Sequence, residues 1–165
     1  MGYGLDLLKR DEYKNWLQSM PEDSCTLCDW NKYQYVLHNG TYWLWIACRA
    51  PYWPYHTMLT PKRHFKEVNE MKVVEMGELI EMYSIAVRKF RSLNLTINEK
   101  PVDRYIVFWR LRENLNEPES NTRRLEHFHI HLVPDRAGMF DPVLDENACD
   151  WDPKALVVEA SDLAA

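Results

Sequence analysis

No apolar run in this chain approaches the ~20 residues needed to cross a bilayer, so no membrane partner is expected. Its first seventeen residues read as a charged amphipathic segment without the apolar centre of a signal peptide. Four cysteines among 165 residues are too few for a disulfide scaffold. They suit a cytosolic protein in which Cys25 and Cys28 serve as metal ligands. Positive charge is also short: the net charge is −5, against the basic balance expected of a general nucleic-acid binder. A phosphate-bearing substrate stays compatible with that balance where cations and imidazoles are concentrated locally. There is no internal repeat and no linker. The expectation is one domain over residues 1–165, with an N-terminal helix at 5–20, a core at 25–134 and a tail at 135–165. Such a length can bury a proper core.

What the chain does have is aromatic residues, Trp and Tyr above all, and one unusual concentration of histidine. Three of its six histidines fall in the segment Glu126-His127-Phe128-His129-Ile130-His131-Leu132-Val133-Pro134. Strand side chains alternate between faces. As a strand, this segment places His127, His129 and His131 on one face and Phe128, Ile130 and Leu132 on the other, which must be buried. Three imidazoles on one face are a device for metal binding, phosphate binding or proton transfer.

The remaining segments can be taken in order. Residues 5–20 read as a helix with Leu8, Tyr13, Trp16 and Leu17 on its apolar side and Pro21 as its stop. Cys25-Thr26-Leu27-Cys28 is a zinc half-site, a redox pair or chance; no βαβ pattern surrounds it to favour the redox pair. Aromatic and β-branched residues predict strands at 33–37 and 42–48, joined by a type I′ turn at Asn39-Gly40. Residues 50–55, with two prolines, form a loop into a strand at 56–60 that ends in Pro61-Lys62-Arg63-His64. Val68 and Asn69 supply a staple and cap, and Val73, Met76, Ile80, Tyr83, Val87 and Phe90 form one apolar stripe along a five-turn helix. Met76 and Met82 belong to core packing. A strand at 105–111 alternates Ile106 and Phe108 against Val107 and Trp109. Residues 113–122 form a polar loop into the histidine segment, and His38, beside the Asn39-Gly40 turn, is solvent-exposed.

With these landmarks placed, the chain resembles the histidine-triad (HIT) superfamily of nucleotide hydrolases and transferases. Residues 127–133 match its signature of three histidines alternating with apolar residues. The segment from His56 to His64 resembles the family's second landmark, an apolar strand running into Pro-Lys-Arg-His. Cys25 and Cys28 resemble the zinc half-site of the metal-containing branch, and residues 51–55 are more weakly similar to galactose-1-phosphate uridylyltransferases. The resemblance covers about residues 25–134. It implies an α+β fold, an antiparallel sheet of about five strands with a long helix on one face, paired into a homodimer. It implies a nucleotide substrate, with His129 as nucleophile and His131 and His56 beside the attacked phosphate. It also implies a structural zinc held by Cys25, Cys28, His64 and His127.

The chain departs from the family before the triad. Where many members carry a Gly-Gln-Ser/Thr segment, it has Thr122, Arg123 and Arg124, while Asn116 falls where many carry a phosphate-side Asn. Arginine grips phosphate bidentately, so Arg123 or Arg124 is expected to replace the Gln, and the substrate to be more negative than a phosphoramidate. The family's acidic ribose ligand is missing, with Cys48 near its place, which leaves Trp43, Trp45, Trp53 or backbone groups to recognise the nucleoside; for Trp45 a core position is the expectation. A nucleotide binder with little catalysis and a zinc-stabilised interaction module are the competing classes.

Overall fold

The structure, a computed structural model, describes residues 8, 10–21, 23–51, 55–97, 99–109 and 127–135. Helix α1 (Arg10–Gln18) is followed by a short helix α2 (Trp30–Tyr33), strands β1 (Val36–Asn39), β2 (Trp43–Ala47) and β3 (Thr57–Pro61), and the long helix α3 (Val73–Ser92). A two-stranded ladder, β4 (Thr96–Ile97) with β5 (Lys100–Pro101), precedes β6 (Arg104–Phe108) and β7 (Ile130–Asp135). Strands β1, β2, β3, β7 and β6 form one antiparallel sheet in that order, with α3 against it. The α+β architecture expected from the sequence is therefore present.

Strands β2 and β3 are buried at every position, because residues of both faces meet an apolar partner. On the α3 side, Trp43, Trp45 and Leu59 pack with Met82, Ala86, Phe90, Phe128, Ile130 and Leu132. On the opposite side, Leu44, Ile46, Cys48 and Met58 pack on Leu27 of the cysteine turn. Beyond the sheet, α1 is tied in by Trp16, whose ring meets Tyr33 at 5.8 Å and lies under the Arg49 guanidinium at 4.1 Å.

Two glutamates on α3 fix how the helix meets the sheet. The Glu75 carboxylate receives both Arg63 Nε and a terminal guanidinium nitrogen at 2.8 Å, and also caps the helix by accepting the Lys72 N–H. The Arg63 guanidinium holds the Glu75 carboxyl below the usual carboxylate range, against burial. Glu78 accepts the backbone N–H groups of Thr41, Tyr42 and Trp43 at 2.5–2.7 Å. Burial opposes ionisation of Glu78, but these donors outweigh it and lower its pKa.

That contact changes the expected hairpin. Neither Asn39 nor Gly40 adopts the positive φ of a type I′ turn. Asn39 stays in β1 opposite Leu44, and the loop N–H groups turn outward to Glu78. Glycine is needed at position 40 for close approach: a Cβ there meets Met82 Cε at 2.7 Å and the Trp43 carbonyl at 3.0 Å.

The same two anchors rotate α3 away from the expected stripe. Val87 and Phe90 are buried as expected, but Val73 is 83% exposed, Ile80 66% and Met76 53%; the sheet instead meets Glu75, Met82 and Ala86. Two apolar stripes run along this helix, and hydrogen bonds to glutamate decide which faces inward. The helix also starts at Val73, because Val68 and Asn69 sit in a separate single turn of 3-10 helix capped by Glu67 and Glu70. Strand β1 starts at residue 36, since residues 30–33 are helical, and β6 ends at Phe108. The histidine segment enters the ladder only at Ile130. Before that, Phe128 donates its N–H to the Phe65 carbonyl at 2.7 Å instead of to a strand. Trp43 and Trp45 lie in the core and cannot stack on a base; Trp53 and the tail beyond 135 lie outside the described residues.

The rotated helix separates two otherwise similar methionines. Met82→Ala is expected to lower unfolding stability by about 2–4 kcal/mol, and Met76→Ala by less than about 0.5 kcal/mol. Chemical denaturation measures both; equal losses contradict the assigned face.

Candidate functional site

The cysteine turn and the ends of two strands meet at one point. Cys25, Cys28, His64 and His127 bring four ligand atoms within 4.8 Å of one another. Cys28 Sγ lies 3.3 Å from His64 Nδ1 and 3.4 Å from His127 Nδ1, and Cys25 Sγ lies 3.5 Å from His127 Nδ1. A tetrahedral ion with sulfur at ~2.3 Å and nitrogen at ~2.05 Å has S···N edges of about 3.6 Å. The cluster therefore has the size and donor set of a closed tetrahedral Cys2His2 metal centre.

The protonation pattern fits the same use. His127 Nε2 donates to the Pro61 carbonyl at 2.6 Å, which leaves the Nδ1 lone pair directed at the cluster. Burial depresses the His127 pKa to about 4, so the ring is neutral at physiological pH and ready to ligate. Without a cation, burial of the sulfur and then the adjacent Cys25 raise the Cys28 thiol to about 12. A divalent cation reverses that penalty, because ligation requires thiolates.

Two residues further on, His129 Nδ1 lies 2.8 Å from the His127 carbonyl oxygen. A carbonyl only accepts, so Nδ1 carries a proton, and in the neutral ring Nε2 carries the lone pair. The tautomer follows from this backbone contact, which needs the chain to curve at residues 127–129 before entering β7. His131 ring lies 5.0 Å from that of His129, edge to face. Its Nδ1 stands 2.8 Å from Nε2 of His56, just before β3. Both rings are buried. One nitrogen of that contact must donate and the other accept, so a single N–H lies between the two imidazoles.

All four expected metal ligands thus meet in one cluster, and His56, His129 and His131 meet in an adjacent one. Asn116, Arg123 and Arg124 lie outside the described residues. His38 is exposed, as expected. Two further contributors carry no sequence signal of their own. The Pro61 carbonyl sets the His127 tautomer, and the Phe108 ring stacks on His131 at 4.6 Å with planes 13° apart. The second follows from the β6–β7 register, which sets Phe108 opposite His131. Chemically, the site offers, with His129 neutral, an imidazole nitrogen lone pair beside a hydrogen-bonded imidazole pair.

No family model matches the chain, and no curated protein matches it by sequence. Solved structures do. A hypothetical histidine triad nucleotide-binding protein from Sulfolobus tokodaii superposes with a TM-score of 0.58 at 16% identity, over 85% of this chain and 89% of that one. A zinc-bound histidine triad family protein from Mycobacterium smegmatis superposes at 0.53 and 18% identity, over 86% and 94%. A GalT-like protein from Arabidopsis thaliana superposes at 0.57 and 18% identity, over 91% of this chain and 48% of that one, so this chain spans about half its length. At these identities the likeness is one of fold: the chain has the histidine-triad fold, shared with GalT-like proteins.

Proposed function

We propose that this protein is a nucleotide hydrolase or nucleotidyltransferase acting on a nucleoside 5′-phosphoryl compound through a covalent nucleotidyl-histidine. The substrate class is a dinucleoside polyphosphate, a nucleoside phosphoramidate or a nucleotide sugar. The observation that carries this reading is the His129 Nδ1 contact to the His127 carbonyl beside the His56–His131 pair. With its proton held on Nδ1, His129 attacks phosphorus through Nε2, splitting one displacement into two. His131 and His56 stabilise charge on the phosphoryl oxygens and move the proton that the leaving group and the acceptor require. Asn116, Arg123 and Arg124 contact the phosphates from the loop before the triad, in this reading. The protein works in the cytosol as one domain over residues 1–165; among the described residues no helix is long and apolar enough to cross a membrane.

Zinc is the ion proposed for Cys25, Cys28, His64 and His127, a set whose S···N spacings suit it. With these four residues holding it, the ion would supply no activated water and would tie the cysteine turn to the end of β3 and to the triad. A homodimer is supported by the exposed apolar outer stripe of α3 (Val73, Met76, Ile80).

Mixing the protein with labelled dinucleoside polyphosphates, nucleotide sugars and phosphoramidates should yield a nucleotidyl adduct by mass spectrometry, lost in His129→Ala. Tight binding without adduct or turnover points to a nucleotide binder instead, and no binding to an interaction module. Metal analysis should find about one zinc per chain, with Cys25 and Cys28 protected from alkylation; less than about half, with Cys25 freely alkylated, rejects the metal. Ile80→Glu should convert a dimer to a monomer in sedimentation without unfolding it. A wild-type chain that sediments as a monomer removes the dimer from the proposal.

A further inference from the structure

We infer that Phe108 is a positioning residue for this reaction, its ring face holding and supporting His131 while the His56–His131 pair carries the proton destined for the leaving group. The inference rests on the proposed role of His129 and adds a residue to that site. His131 is held from three directions. Phe108 lies parallel to its face at 4.6 Å, His56 meets its Nδ1 at 2.8 Å, and His129 stands edge to face at 5.0 Å. Strand register makes the stack rigid, since β6 and β7 pair Phe108 directly with His131.

Packing also uses Phe108, against the small cluster around Ile97 and Val133. Packing alone asks for apolar volume and not for a ring parallel to an imidazole. The parallel stack matters when the pair gains a proton. A buried cation loses hydration, and the negative face of an aromatic ring within about 6 Å offsets part of that loss. Phenylalanine cannot donate or accept a proton, so it biases the pair without competing for the proton. Among the described residues, the titratable groups seen against His131 are His56, from just before β3, and His129, from its own segment; β6 brings the uncharged Phe108.

With a dinucleoside polyphosphate or nucleotide sugar, the His129 Nε2 lone pair forms the N–P bond as the P–O bond to the leaving group breaks. The extra proton on the His56–His131 pair passes to the departing oxygen, leaving the pair neutral. With a phosphoramidate the bond broken is P–N and the proton goes to the departing nitrogen. When water or another hydroxyl attacks phosphorus, its proton returns to the pair and the N–P electrons return to Nε2.

Phe108→Leu keeps apolar volume and removes the ring face; Phe108→Tyr restores a ring. Imidazole titrations by NMR on the full chain, without nucleotide, read the effect directly. Phe108→Leu is expected to lower the titration midpoint of the His56–His131 pair by about 0.5–1.5 pH units. Adduct formation at neutral pH should slow by about 3- to 30-fold, with nucleotide affinity unchanged and Phe108→Tyr close to wild type. A Leu variant with the wild-type midpoint, or Leu and Tyr variants shifted alike, overturns the inference while leaving His129 chemistry standing. A shifted midpoint in a protein that never forms a His129 adduct overturns the reaction and, with it, the role given to Phe108.

Discussion

The buried imidazole of His127 is the element on which the other arrangements depend. Its Nε2 donates to the Pro61 carbonyl, its Nδ1 faces two sulfurs, and its own backbone carbonyl accepts from His129. One residue therefore belongs to a metal-type cluster through its side chain and to the tautomer of His129 through its main chain. The histidines alternate in sequence, yet their environments separate them: one faces sulfur, one a carbonyl, and one another imidazole and a phenyl ring. Residues of one type are set apart in this way because burial and hydrogen-bond partners, not residue type, decide where each proton sits.

The rest of the fold holds that arrangement still. Strand β3 places His56 just ahead of its first residue and delivers the cysteine cluster its His64 just past its last, with β7 paired alongside. Helix α3 closes the far side of the sheet, and its orientation is set by ionised glutamates bound to Arg63 and to the β1–β2 loop. These are polar anchors at the margin of an apolar core. Such contacts add modest net stability, but leaving either partner unpaired and buried costs more. That asymmetry selects one rotation of a helix whose apolar residues allow two.

This division explains what could be read from the chain. The triad, Cys25-x-x-Cys28 and the run from His56 to His64 were legible because their pattern lies in local spacing, and the strands of the main sheet were legible from alternation and β-branching, whereas the short β4–β5 ladder was not. The buried stripe of α3 was not, since Glu75 and Glu78 read as surface residues until their partners, 12 and more than 30 positions away, are known. The same holds for the Asn39-Gly40 turn, whose local preference yields to Glu78. Trp43 and Trp45 offered aromatic surface to a nucleoside on paper, and the core takes both. Phe108 needed the β6–β7 register, which no local pattern encodes.

The central claim is that the His127 carbonyl leaves one nitrogen of one histidine to attack phosphorus. A crystal structure of the covalent intermediate, trapped by rapid freezing with a slowly hydrolysed nucleotide analogue, tests it most directly. The account predicts a phosphorus–nitrogen bond at Nε2 of His129, with Nδ1 still hydrogen-bonded to the His127 carbonyl. A bond at Nδ1, or to His131 or His56, contradicts it.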